Sequence, residues 1–176
     1  MRWNRTNIHS ALKKSYIFLP TGATIEQLFS ETQPKFSKHS VIIPVDDRTT
    51  HDPTMHNYKN LRRMFSHRAK VKPLERCALR SPQKSCVILS VAEDLHFASI
   101  FNSRGDLHKR GCLINTFSSD PRMKRVSIGY SFLRLSNVIF LFKNRTRHRD
   151  FCASIEDNHK LKAIFRQSYK IILSDR

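Results

Sequence analysis

Thirty-two Lys and Arg against 14 Asp and Glu give this 176-residue chain a formal charge of +18, and that excess sets the terms on which it can fold. Self-repulsion of this size opposes compaction, so a folded state must draw its stability from apolar burial. The apolar share of 39% and the aromatic share of 10% supply the material. A chain of this length forms one domain able to bury about two-thirds of its unfolded surface. The opposition of charge and burial predicts a chain that folds only marginally. Glycine, at 4 residues, argues against folds rich in tight hairpins and against glycine-rich phosphate loops.

The longest apolar-rich run, residues 127–142, is broken by Arg134 and by Ser136 and Asn137. It is shorter than the roughly 18 to 20 apolar residues that cross a bilayer, so no membrane-spanning helix is expected. The amino-terminal stretch has no central apolar block followed by small residues, and an export signal is not expected either. Cys77, Cys86, Cys112 and Cys152 then read as scattered reduced thiols, and the chain as cytoplasmic. Arg2, Arg5, Lys13 and Lys14 precede the first acidic residue, Glu26. Residues 1–23 are therefore set apart as a basic, disordered segment, either a frayed terminus or a transit peptide. Residues 24–176 form a single domain.

Hydrophobic spacing predicts the elements of that domain. Thr24 to Gln27 fits a capping box, opening a helix with Ile25, Leu28 and Phe29 on one face and its end before Pro34. Val41, Ile42 and Ile43 lie in a strand over 39–45, which Pro44 places at a sheet edge. Asp52 and Pro53 open a helix over 53–70, with Met55, Tyr58, Leu61 and Phe65 on its apolar stripe. A strand over 86–91 follows, and Ser90 with Glu93 reads as a second capping box that starts a helix over 92–101. Strands are predicted over 112–117 and, from strict alternation, over 126–133; a strand over 138–142 pairs with the latter. Leu161, Ile164, Phe165, Ser168, Ile171 and Ile172 form the stripe of a C-terminal helix capped by Asp157 or Asn158. Short strands mixed with amphipathic helices define an α+β fold.

Catalytic motifs are missing: there is no Gly-x-Ser-x-Gly elbow, Walker loop, dinucleotide fingerprint or His-Glu-x-x-His helix, and the sequence predicts no enzyme and no catalytic residue. His51 and His56, Cys77 and Cys86, and Cys152 and His159 all miss compact metal-ligand spacing, so no metal or other cofactor is predicted. The charge carries the remaining signal. Lys59, Arg62, Arg63, Arg68 and Lys70 share the polar face of the 53–70 helix, and Arg145, Arg147 and Arg149 follow in a second basic cluster. Such density attracts phosphates, which predicts non-specific binding to the backbone of RNA or DNA. Two alternatives stay open: a merely solvated basic face, and attachment to anionic membrane with Met55, Tyr58, Leu61 and Phe65 dipping inward.

Residues 86–98, Cys-Val-Ile-Leu-Ser-Val-Ala-Glu-Asp-Leu-His-Phe-Ala, resemble the translated frame of a repetitive element dispersed through bacterial genomes. The resemblance implies a bacterial reading frame formed in part from an intergenic repeat, with no evolved biochemical role. On this reading the chain has no assignable function.

Overall fold

The computed structural model describes residues 5–33, 35–49, 56–74, 79, 81–100, 106–117 and 123–173. The chain begins with α1 (Arg5–Ala11), β1 (Tyr16–Leu19), α2 (Ala23–Thr32), β2 (Val41–Pro44) and β3 (Asp46–Arg48). It continues through α3 (Asn57–Phe65), β4 (Lys70–Val71), β5 (Ser85–Ser90), β6 (Leu113–Phe117) and β7 (Lys124–Ile128). It ends with α4 (Tyr130–Leu133), β8 (Asn137–Phe142), α5 (Arg145–Ser154), α6 (His159–Gln167) and β9 (Tyr169–Ile172).

Six of the strands form one sheet in the order β4-β2-β1-β5-β8-β9, and every neighbouring pair in it is parallel. The other three form a small antiparallel sheet, β3-β7-β6. Parallel strands are joined through helices rather than tight turns, so a chain with little glycine is suited to this arrangement. They are also covered on both faces, which is why β1, β5 and β8 read as near-continuous apolar runs. Ile17, Leu19, Ile42, Ile88, Ile139 and Leu141 point to one face and pack under α1, α2 and α3 through Ile8, Leu12, Ile25, Leu28, Leu61 and Phe65. Phe18, Ile43, Val87, Leu89, Phe140 and Phe142 point to the other, against Phe132, Phe151, Leu161 and Ile164. The Phe140 ring lies 5.5, 5.4 and 5.3 Å from those of Phe97, Phe151 and Phe165, spacings at which aromatic pairs attract beyond their buried area.

Two filled apolar layers correct the expectation of marginal folding: the cations stay at the surface while the sheet supplies a continuous core. Helices and strands are mixed as α+β implies, but they are wound mainly as a parallel sheet. The boundary drawn at residue 24 falls in the first turn of α2, and Ile17, Phe18 and Leu19 are fully buried at the middle of the sheet.

Several elements differ from their sequence reading for identifiable reasons. β2 is an interior strand, because the two-residue β4 pairs with Val41 and Ile42 and stops there, leaving Pro44 beyond its end. α2 is capped by Gly22 at φ 109°, with no side-chain cap bond from Thr24. α3 spans only Asn57–Phe65; Asp52 and Pro53 lie outside the described residues, and the first amide, of Asn57, donates to Asp47 Oδ1 at 2.8 Å. The alternation over 126–133 is cut at Gly129, where a Cβ would stand 2.4 Å from the Gly111 carbonyl oxygen; α4 begins there. β8 does not return along β7 but enters the parallel sheet between β5 and β9. The C-terminal stripe divides into α6, capped by the Asn158 side chain, and β9, which carries Ile171 and Ile172. Residues 92–100 form a loop instead of a helix, with Leu95, Ala98 and Ser99 at φ 65°, 47° and 57°.

Removing the ring at the centre of the aromatic cluster, Phe140→Ala, is expected to cost about 3–5 kcal/mol in urea unfolding, against less than about 0.5 kcal/mol for the exposed Leu135→Ala. Equal effects of the two substitutions would contradict the packing described.

Candidate active site

The order of the large sheet reverses at its centre. From β1 the chain winds outward to β2 and β4, and from β5 it winds the other way to β8 and β9. Loops leaving the carboxyl ends of two such central strands part in opposite directions and open a crevice, the usual ligand position in wound parallel sheets. A cleft of about 240 Å³ lies there. The turn from β1 into α2 supplies Thr21, Gly22, Ala23 and Thr24, the loop after β5 supplies Ala92, His96 and Ser99, and the small sheet supplies Asp46, Arg48 and Arg125.

Asp46 ties these pieces together. Its Oδ2 accepts from Arg125 Nη1 at 3.0 Å and from the Ser99 hydroxyl, and its Oδ1 accepts from Asn57 Nδ2 at 3.3 Å. Arg125 Nη1 also donates to Ser99 Oγ at 2.9 Å. Asn57 donates to the Asp46 carbonyl at 3.0 Å and accepts from the Thr21 hydroxyl at 2.9 Å. The start of α3, the loop after β5 and strand β7 thus meet at one carboxylate, and the turn after β1 joins them through Asn57. Arg125 Nε, also buried, has no hydrogen-bond partner among the described residues.

The cleft is lined by two arginines, Arg125, which pairs with Asp46, and Arg48. The ten-residue α2 adds its first amides, at Ala23 and Thr24, with no side chain capping them. A helix N-terminus of this kind favours an anion. Gly22 makes the turn at a φ that L-residues rarely adopt.

His96 also lines the cleft. Its Nδ1 is hydrogen-bonded to Asp94 Oδ1, so in the neutral imidazole the proton sits on Nδ1 and the lone pair on Nε2. Desolvation would raise the Asp94 carboxyl, but the hydrogen bond from His96 and its charge outweigh that and hold it below its ordinary value. Asp94 is therefore ionised throughout the neutral range and releases its hold only in acid. Left-handed backbone at Leu95, Ala98 and Ser99 brackets His96, and such conformations concentrate at functional sites. Among the described residues no group of three His, Cys, Asp or Glu could hold a metal ion.

The basic residues singled out from sequence fall in two groups. Lys59, Arg62, Arg63, Arg68 and Lys70 are exposed around α3 and β4, on the face of the sheet packed by Leu61 and Phe65. Arg145, Arg147 and Arg149 belong to α5, whose Phe151 packs against the opposite face. The membrane alternative fails because Leu61 and Phe65 are buried under the sheet and unavailable to lipid. No described helix is long and apolar enough to cross a membrane.

No protein-family model and no curated protein matches the chain. Solved structures do share its wound parallel sheet. The 6-phosphogluconolactonase of Thermotoga maritima superposes with a TM-score of 0.73 at 21% identity, covering 97% of this chain and 91% of that one. The 6-phosphogluconolactonase of Shewanella baltica gives 0.73 at 17%, with the same coverage, and a devB protein gives 0.70 at 14%, over 97% and 90%. The chain has the fold of these proteins.

That likeness corrects the expectations of a nucleic-acid binder without assignable function and of a protein that is no enzyme. Nearly the whole chain lies on the fold of hydrolases, with a cleft at the position where such sheets bind ligands. Sequence reasoning missed Thr21, Asp46, Arg48, Asn57, Asp94, His96, Ser99 and Arg125. The signals were present: Asp94 and His96, two apart, follow an apolar strand directly, and Thr21 and Gly22 stand between a strand and a helix.

Replacing Asp46 by Ala strands the partly buried Arg125 guanidinium and is expected to cost about 3–5 kcal/mol of stability. Asp94→Ala, at an exposed position, should change it by less than about 0.5 kcal/mol. Urea unfolding of both variants separates the residue that holds the cleft together from the one that orients His96.

Proposed function

We propose that this chain is a lactonase that hydrolyses a phosphorylated sugar lactone of the 6-phosphogluconolactone class. The observation that carries the reading is a cleft lined by Asp94-paired His96 together with Arg48 and Arg125, on the fold of proteins whose own names describe that activity. His96 Nε2 takes a proton from water as the water oxygen attacks the lactone carbonyl carbon. The ring carbon–oxygen bond then breaks, and the imidazolium returns the proton to the departing ring oxygen. The product is a hydroxy acid that ionises to a carboxylate and releases one proton. Asp94 fixes the tautomer and stabilises the transient imidazolium. Arg48, Arg125 Nε and the α2 amides receive the phosphate, which holds the lactone with its carbonyl toward His96. The excess of positive charge over the whole surface adds long-range attraction for a dianionic substrate.

Proton release from 6-phosphogluconolactone, measured above the spontaneous rate, tests this. His96→Ala is expected to lower kcat by about 10²–10⁴-fold. Arg48→Gln should raise KM for the phosphorylated lactone by about 10- to 100-fold, the loss of one charge-assisted contact, and leave the unphosphorylated lactone unaffected. Wild-type protein that does no better than buffer would overturn the proposal.

A further inference from the structure

One of the basic residues on α5 is turned toward the site. Arg147 stands in the first turn of the helix, outside the cleft, and its Nη1 donates to the backbone carbonyl of Glu93 in the loop that presents His96. We propose that Arg147 is a positioning residue that fixes the His96 imidazole through this carbonyl. The kinetic consequence rests on the lactonase reading; the structural one does not.

The argument begins with the loop. Ala92 N–H donates to the His96 carbonyl at 2.9 Å and Leu95 N–H to the Ala92 carbonyl at 3.1 Å, so residues 92–96 form one closed turn with Glu93 and Asp94 at its exposed tip. Asp94 sets the direction of the imidazole, but its own side chain is 58% exposed. The direction of the pair therefore depends on what holds the backbone of the tip. Leu95 already sits at a φ of 65°, a conformation that surrounding contacts must maintain.

Arg147 is well placed for that work because it is itself held. Its backbone N–H donates to Asn144 Oδ1 at 2.8 Å, the cap of α5, and its side chain is half-buried. α5 is anchored by Phe151, whose ring lies 6.1 Å from that of Phe97, the residue following His96. Helix and loop are thus joined at two points, an aromatic contact below and a guanidinium at the tip. Arg145 and Arg149 on the same helix are exposed, and Arg149 stands 3.9 Å from Asp150.

Nitrogen NMR of the His96 ring and lactone kinetics, on the full chain, test the proposal together. In wild-type protein the ring should hold its proton on Nδ1. In Arg147→Ala the two ring-nitrogen signals should move toward a mixture of tautomers, and kcat should fall by about 10- to 100-fold while KM changes by less than about twofold. Arg147→Lys should restore most of both, since an ammonium still reaches the carbonyl, and Arg149→Ala should alter neither. Arg147→Gln, which keeps much of the aliphatic stem, gives the same readout should the alanine variant not fold. Unchanged ring nitrogens and unchanged kcat in a folded Arg147 variant, or an equal loss in Arg149→Ala, would overturn it. If wild-type protein turns over no lactone, the functional reading falls and the ring-nitrogen signals alone decide the role of Arg147.

Discussion

The cleft depends on a buried carboxylate. Asp46 accepts from Asn57, Ser99 and Arg125, which arrive from three separate parts of the chain. A charge removed from water is tolerated only when its partners are in place, and removing any one of them leaves the others uncompensated. This makes the arrangement close to all-or-none: the turn after β1, the loop after β5 and strand β7 adopt their positions together or not at all. The His96–Asp94 pair hangs on that junction without taking part in it, because the two bond to each other and leave Asp46 to hold the frame.

Charge has two roles in this molecule, and they are separated in space. In the cleft Arg48 and Arg125 are part of the lining, and the Asp46 carboxylate holds Arg125. Outside it, the described lysines and arginines of α3, β4 and α5 lie over both faces of the sheet. The outer charge raises the potential around the protein without specifying a partner; the inner charge is the part that the proposed lactonase reading assigns to the phosphate. A count of basic residues along a helix registers the first and is blind to the second.

The parts of the fold that were legible in the sequence are those fixed by local rules. The apolar runs of β1, β5 and β8, the burial of Ile25, Leu28 and Phe29 on α2, and the cap at Asn158 follow from spacing and from side-chain chemistry close at hand. The illegible parts follow from distant partners. Pro44 suggests an edge until β4 is seen to stop short of it, and the alternation after Val126 suggests a continued strand until the approach of Gly111 to Gly129 is seen. The site was hidden in the same way. Ser90 and Glu93 satisfy the spacing of a helix cap, yet the left-handed residues at 95, 98 and 99 turn that segment into a loop, and nothing in the local pattern announces them. Thr21, Asp46, Arg48, Asn57 and Arg125 are scattered singly along the chain and acquire meaning only where the strand order reverses.

That reversal also bears on how the chain reaches its structure. The two strands at the middle of the large sheet, β1 and β5, are paired through Tyr16 and Ser85, so nearly half the polypeptide must be synthesised before the central ladder can close. Until then Ile17, Phe18 and Leu19 have only β2 beside them and an open flank on the other side. Long-range pairing of this sort makes folding slow and exposes unpaired backbone to neighbouring molecules. Mutual repulsion among strongly cationic nascent chains counters that hazard, and gives the surplus of lysine and arginine a use during biosynthesis that the finished molecule does not display.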